Sequence, residues 1–232
     1  MRNLIFEAIH LEQQYSNSLF GLRDVSLSIQ EGEIVGLIGK NGSGKTTLLN
    51  VLANLEPKKS GECHYQGSLL DENFYKKNLG FLPTNLNLYD YLTLKENLEF
   101  VFEMRGKPYD EIWVKEMLAV FELSTALDRQ LVDLSKGMRI KFNFITTLIH
   151  QPDILLLDEL FEGVDPAQAI VLKNVLKKQA SIGKGILLSS HILSYIADIC
   201  HRAYYIEDGK IIKEVKNLSS QSLSELEALF HE

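Results

Sequence analysis

Gly39-Lys40-Asn41-Gly42-Ser43-Gly44-Lys45-Thr46-Thr47 is the stretch on which the reading of this chain turns. It fits G-x-x-x-x-G-K-[ST], a loop that wraps phosphate. A triphosphate needs many hydrogen-bond donors at close range. Backbone N–H groups of residues 39–47 supply them only where no Cβ blocks the approach. Gly39, Gly42 and Gly44 remove that obstacle and permit positive φ. Lys45 then reaches the β- and γ-phosphates, and the Thr46 hydroxyl is placed to ligate Mg²⁺.

The flanks agree. Glu33-Ile34-Val35-Gly36-Leu37-Ile38 reads as a buried strand entering the loop. Thr46 to Ala53 reads as a helix leaving it, with Leu48, Val51 and Leu52 on one face. The partial positive charge of the helix N-terminus then lies under the phosphates. A plain glycine-rich turn would share the composition, but not this spacing between a strand and a helix.

The whole chain sets the bounds. At 232 residues it has room for one large α/β domain or a core with subdomains. Its formal charge of −7 argues against broad electrostatic binding to nucleic acid. The pairs Lys58-Lys59, Lys76-Lys77 and Lys177-Lys178 are dispersed and read as solvated surface. Cys63 and Cys200 form no C-x-x-C pair, which suits a reducing compartment and buried thiols. The stretch Met1 to Glu7 is charged and is not expected to be a secretory signal. No apolar run reaches the ~18–20 residues that span a bilayer, so a membrane role is expected to come through a partner.

Upstream of the loop, residues 3–12 and 23–30 read as strands, with Val25, Leu27 and Ile29 alternating against polar neighbours. Between them Tyr15 lies in a polar, turn-prone segment. Its ring could stack on an adenine or pack against the sheet, and spacing leaves both open. Downstream, Glu56-Pro57 and Ser60-Gly61 read as turns, and Gly80 to Pro83 as a short strand. Residues 84–150 read as mostly helical. Trp113, Met117 and Phe121 recur at i, i+4, i+8 with Val114 and Leu118 beside them. Phe100 and Met104 read as core, with an exposed partner contact as the alternative.

Ser135 is a suitable N-cap for a helix running to His150, and Gly137 permits close approach at its first turn. Ile154 to Leu157 is four apolar residues, a strand buried on both faces, followed at once by Asp158 and Glu159. That end of a parallel strand is where open α/β sheets bind ligands. Asp158 is suited to holding Mg²⁺, and Glu159 to taking a proton from an attacking water. Gly163 to Pro166 turns into a helix over 167–180. Gly185 to His191 reads as another buried strand, ending in a histidine placed for a γ-phosphate contact. Tyr204–Glu207 and Lys210–Lys213 read as a hairpin on Asp208-Gly209. A helix is expected over Ser222–Phe230.

In this order, the glycine loop, Leu134-Ser135-Lys136-Gly137-Met138, the Asp158-Glu159 strand end and His191 resemble the nucleotide-binding domain of ATP-binding cassette (ABC) transporters. The likeness covers about residues 3–213. It implies a P-loop NTPase (RecA-like) α/β core with a mainly parallel sheet, an N-terminal antiparallel β subdomain and an inserted α-helical subdomain. Residues 1–83 and 151–232 would form the core and β subdomain, and 84–150 the helical one. It also implies ATP and Mg²⁺, a separate transmembrane permease at the cytoplasmic face of the membrane, and a second cassette closing head to tail. No nucleic-acid partner is expected.

By resemblance Tyr15 matches the adenine-stacking aromatic, and Ser135 and Gly137 the signature that completes the partner's ATP site. Glu159 matches the catalytic carboxylate, Asp165 an aspartate of the dimer interface and His191 the switch histidine. Thr84 stands where the family usually has a metal-sensing Gln, and a threonine is shorter. Lys136 and Met138 replace Gly and Gln, as in exporter-type cassettes. Leu160-Phe161 stands in place of Pro-Thr, and Thr146 in place of Arg. None of these removes Lys45 or the carboxylate pair, so an active ATPase is expected. The competing readings are a soluble, non-transport cassette ATPase of translation or DNA repair, and another P-loop class. The GTPase motif Asn-Lys-x-Asp is absent from the chain.

Overall fold

In a computed structural model that describes residues 3–15, 20–218 and 223–229, the chain opens with an antiparallel pair. β1 (Leu4–Gln14) and β2 (Gly21–Gln30) pair with Ala8 opposite Leu27 and Leu11 opposite Val25, each of these side chains buried. β3 (Ile34–Ile38) follows and is buried at every position. It delivers the chain through the glycine loop into α1 (Lys45–Leu52), where Leu48, Val51 and Leu52 are all buried.

Residues read as a turn at Ser60-Gly61 instead begin a strand, β4 (Ser60–Tyr65), which joins the free side of β1. Its only buried side chain is Cys63, so no apolar alternation marks it in the sequence. β5 (Ser68–Leu69) completes a four-stranded antiparallel sheet in the order β2-β1-β4-β5. α2 (Glu72–Lys77), capped by Asp71, leads into β6 (Leu79–Leu82).

Between β6 and the next strand lie α3 (Leu94–Met104), α4 (Glu111–Val120) and α5 (Lys136–Leu148). A capping box at Thr93 and Glu96 starts α3, and Asp110 caps α4. Val114, Leu118 and Phe121 are buried, and Trp113 and Met117 pack at the margin of the same core. Phe100 and Met104 depart from their core reading. They are 37% and 70% exposed, because Leu98 and Phe102 take the inward stripe of α3. Phe100 instead meets Tyr89 edge-on, with ring centroids 5.0 Å apart.

β7 (Ile154–Leu157), α6 (Pro166–Ser181), β8 (Gly185–Ser189), α7 (Leu193–Ile199), β9 (Arg202–Glu207) and β10 (Lys210–Lys216) complete the second sheet and its cover. Its order is β10-β9-β3-β8-β7-β6, parallel except for the β9–β10 hairpin. Asp208 and Gly209 turn that hairpin at φ 46° and 75°, as Asp-Gly favours. α8 (Leu223–Ala228) follows; Ser222 and Phe230, read as its ends, lie outside the described residues.

The parallel sheet has a core on each face, because alternate residues of a strand point opposite ways. Val35, Leu37, Leu156 and Leu187 face α1 and the antiparallel sheet. Ile34, Ile38, Leu155, Leu157 and Leu188 face the helices from α3 to α7. Among the described residues no helix is long and apolar enough to cross a membrane.

Candidate functional site

The strand order β3-β8-β7 sets three parallel C-terminal ends side by side. The glycine loop leaves the first, Ser189 ends the second with His191 just beyond it, and Asp158 and Glu159 follow the third. β6, next to β7, brings Thr84 to the same edge.

The loop has the shape its glycines predict. A Cβ on Gly39 would lie 2.3 Å from the Ile206 carbonyl oxygen and 2.5 Å from Ser43 Oγ. Gly44 has φ 110°, a conformation that side-chain-bearing residues avoid, and from it α1 begins. The Lys45 ammonium is turned back on the loop, donating to the Gly39 carbonyl at 2.9 Å and the Lys40 carbonyl at 3.3 Å. Among the described residues Ser43 Oγ is buried with no hydrogen-bond partner, a polar atom suited to a ligand in a loop built of donors.

Asp158 is 2% exposed and its carboxylate is wrapped in hydroxyls. Ser189 donates to Oδ1 at 2.6 Å, while Thr46 and Thr84 donate to Oδ2 at 2.9 and 2.8 Å. The Glu159 backbone N–H donates to Ser189 Oγ at 2.9 Å, so one serine orders both acids. Glu159 itself holds φ 50°, a left-handed conformation costing a non-glycine residue roughly 1–2 kcal/mol. That twist aims its carboxylate into the crevice. Oε1 lies 3.7 Å from the Lys45 ammonium, and Oε2 lies 2.9 Å from His191 Nδ1.

Tyr15 stands one layer back. Its hydroxyl donates to Glu56 Oε2 at 2.6 Å and lies 3.3 Å from Thr47 Oγ1. Its ring stacks on Phe20, centroids 6.5 Å apart and planes within 12°. Phe20 is the aromatic that lines the loop crevice, with Asn41, Lys45, Thr46, Glu159 and His191. Nothing in the linear spacing singled out Phe20 or Ser189; both gain their place from how the strands pair.

Ser135, Gly137 and Asp165 do not line that crevice. Ser135 caps α5, accepting from the Met138 N–H at 3.3 Å, and Asp165 caps α6, accepting from the Gln168 N–H at 3.0 Å. Gly137 lies against Gln168 so closely that a Cβ would meet Gln168 Oε1 at 1.7 Å. Lys136 runs over Gly163 to within 3.8 Å of Glu162. Lys136 and Gly137 are thus packed on the loop and helix start that follow the two acids.

The donor chemistry suits a magnesium nucleotide. An N–H-rich loop with an ammonium and an unpartnered hydroxyl fits phosphate. The hydroxyl and carboxylate oxygens of Thr46 and Asp158 are the hard donors that Mg²⁺ takes.

Comparison with known proteins identifies the relatives of this chain. Residues 22–162 match the ABC transporter family. The chain is 34% identical over 197 residues to the uncharacterized ABC transporter ATP-binding protein YdbJ of Bacillus subtilis, covering 84% of this chain and 64% of that protein's length. It is 33% identical over 215 residues to the lipopolysaccharide export system ATP-binding protein LptB of Haemophilus influenzae, covering 90% and 89%. Among solved structures it resembles an ATP-binding subunit of an ABC transporter, with TM-score 0.85, 28% identity, and coverage of 98% of this chain and all of that one.

Proposed function

The chain belongs to the ABC transporter family, and from that premise we propose that it is an ATP-binding and ATP-hydrolysing subunit powering transport through a separate membrane permease. The observation that carries the reading is the line Lys45–Glu159–His191 across the glycine-loop crevice.

The chemistry follows from that line. A triphosphate in the loop exchanges the Gly39 and Lys40 carbonyls for phosphate oxygens around the Lys45 ammonium. The loop N–H groups and Ser43 Oγ donate to the same oxygens. Thr46 and Asp158 would hold Mg²⁺, which when bound neutralises charge on the β- and γ-phosphates. Glu159, released from Lys45, accepts the proton of the attacking water. His191 holds Glu159 Oε2 and faces the γ-phosphate. The adenine stacks at the aromatic pair, on Phe20 with Tyr15 backing it.

A second cassette completes the site. Ser135 and Gly137 stand away from their own glycine loop, as they must if they serve a partner's. The N-terminus of α5 then meets the γ-phosphate across the dimer, with Asp165 at the interface. Exposed Phe100 and Met104 on α3 offer a face to the permease, which holds the chain at the cytoplasmic side of the membrane. Lys136-Gly137-Met138 and the likeness to LptB support export as the direction.

The test begins with Lys45→Ala. Loss of the ammonium should weaken ATP binding by at least about tenfold, read by calorimetry; unchanged affinity would refute the loop assignment. A pull-down of the tagged chain from detergent-solubilised host membranes should then bring down a multi-span membrane protein in matching amounts. Recovery of ribosomes or nucleic acid instead would overturn the transporter reading.

A further inference from the structure

We propose that Thr84 is a positioning residue for the metal site, acting on Mg²⁺ through Asp158 by donating its hydroxyl hydrogen to that carboxylate. The inference rests on reading the crevice as a magnesium-nucleotide site.

Thr84 is exposed as a residue, yet its hydroxyl turns inward and donates to Asp158 Oδ2 at 2.8 Å. The carboxylate it meets is nearly inaccessible. A hydrogen bond from a hydroxyl to a buried anion is of the strong, charge-assisted kind. The Asp158 main chain is held by the same segment, its N–H donating to the Leu82 carbonyl at 2.9 Å. Residues 82–84 therefore grip both the backbone and the side chain of Asp158.

The count of lone pairs gives this grip a consequence. A carboxylate oxygen has two good acceptor directions. On Oδ2 both are occupied, by Thr46 and Thr84. On Oδ1 one is occupied, by Ser189. A cation meets Asp158 through the remaining direction on Oδ1 or through a water. Thr46, having given its hydrogen to Asp158, keeps its own lone pairs for the metal. Thr84 thus sets which oxygen of Asp158 is open. It does so from the first residues after β6, on the way to α3. The β-branching of threonine restricts the rotamers that aim the hydroxyl.

The experiment measures ADP binding by calorimetry, in EDTA and across a Mg²⁺ titration, for the full chain and its Thr84→Val, Thr84→Ser and Thr84→Cys variants. Valine keeps the shape and removes the donor. The Mg²⁺ concentration for half-maximal effect should rise about tenfold in Thr84→Val, the usual scale for losing a partner of a metal ligand. Its metal-free ADP affinity should stay within about twofold of wild type, and Thr84→Ser should restore the Mg²⁺ response. An unchanged Mg²⁺ response in Thr84→Val overturns the proposal. So does an equal loss of metal-free binding, which would mark a general structural effect. A Thr84→Cys variant whose preference for Cd²⁺ over Mg²⁺ in ADP binding exceeds that of wild type also overturns it, because only a direct ligand changes metal preference with its own softness. Wild-type protein that binds no nucleotide would overturn the site reading itself, and the Thr84 role with it; normal wild-type binding leaves the variants to decide the Thr84 role alone.

Discussion

Glu159 carries its carboxylate on a backbone at φ 50°, between an ammonium and an imidazole, so its position is held by the residues around it. Glu159→Gln preserves size and polarity but cannot take a proton from water. ATP binding should persist while hydrolysis falls by about 10²–10⁴-fold, and ATP-bound dimers should accumulate. Steady-state ATPase assays with size-exclusion chromatography check both; hydrolysis at the wild-type rate would remove Glu159 from the general-base role. This residue was legible in the sequence because four apolar residues precede the acids, which fixes both strand and exit point. The glycine loop was legible for a similar reason: its chemistry is local. Ser189 was not, since its hydroxyl reaches Asp158 only because β8 lies beside β7. Phe20 was not, since its place beside the crevice depends on how β2, which starts at the next residue, pairs with β1.

At the scale of the element, one substitution at the start of α5 separates a cap from the proposed contact with a partner's nucleotide. Ser135 caps the helix by accepting from the Met138 N–H. Ser135→Ala should cost about 1 kcal/mol of folding stability, seen in chemical denaturation. That loss leaves almost every chain folded, and ATP binding to the single chain should be unchanged. If Ser135 also serves a partner's nucleotide, hydrolysis under dimer-forming conditions should fall more than about tenfold, since tenfold already corresponds to 1.36 kcal/mol on the barrier. Hydrolysis near the wild-type rate would leave Ser135 a cap and nothing more. Elements were legible where burial writes a period into the chain. β3, β7 and β8 are continuous apolar runs because both faces are covered. β4 has no such pattern, as one side chain of six is buried, and Ser60-Gly61 therefore looked like a turn. Phe100 and Met104 misled in the opposite sense: apolar residues on a helix do not announce which stripe faces inward, and Leu98 and Phe102 took it.

For the whole molecule, the join between α5 and the sheet carries a titratable group that links pH to stability. His150 follows α5 and is 5% exposed, its Nε2 2.8 Å from the Leu79 carbonyl oxygen at the start of β6. A carbonyl only accepts, so Nε2 carries the hydrogen and Nδ1 is the bare nitrogen. Among the described residues Nδ1 is buried with no partner, and a proton there would be a buried, unpaired charge. Burial, and then the nearby Arg105 guanidinium, pushes the imidazole down to about 4. The unfolded chain takes up its proton near pH 6.5, so between 6.5 and 4 the unfolded state binds more protons than the folded one. His150 therefore contributes nothing to pH dependence above 6.5 and costs stability progressively as pH falls toward 4, about 3 kcal/mol across the window. His150→Gln keeps a donor for Leu79 and removes the titration. Denaturation at a series of pH values should show wild type losing ground to the variant steadily from pH 6.5 to 4, and a constant difference at neutral pH and above. Wild type and variant falling in parallel through that window would show that the imidazole accepts its proton without unfolding the join.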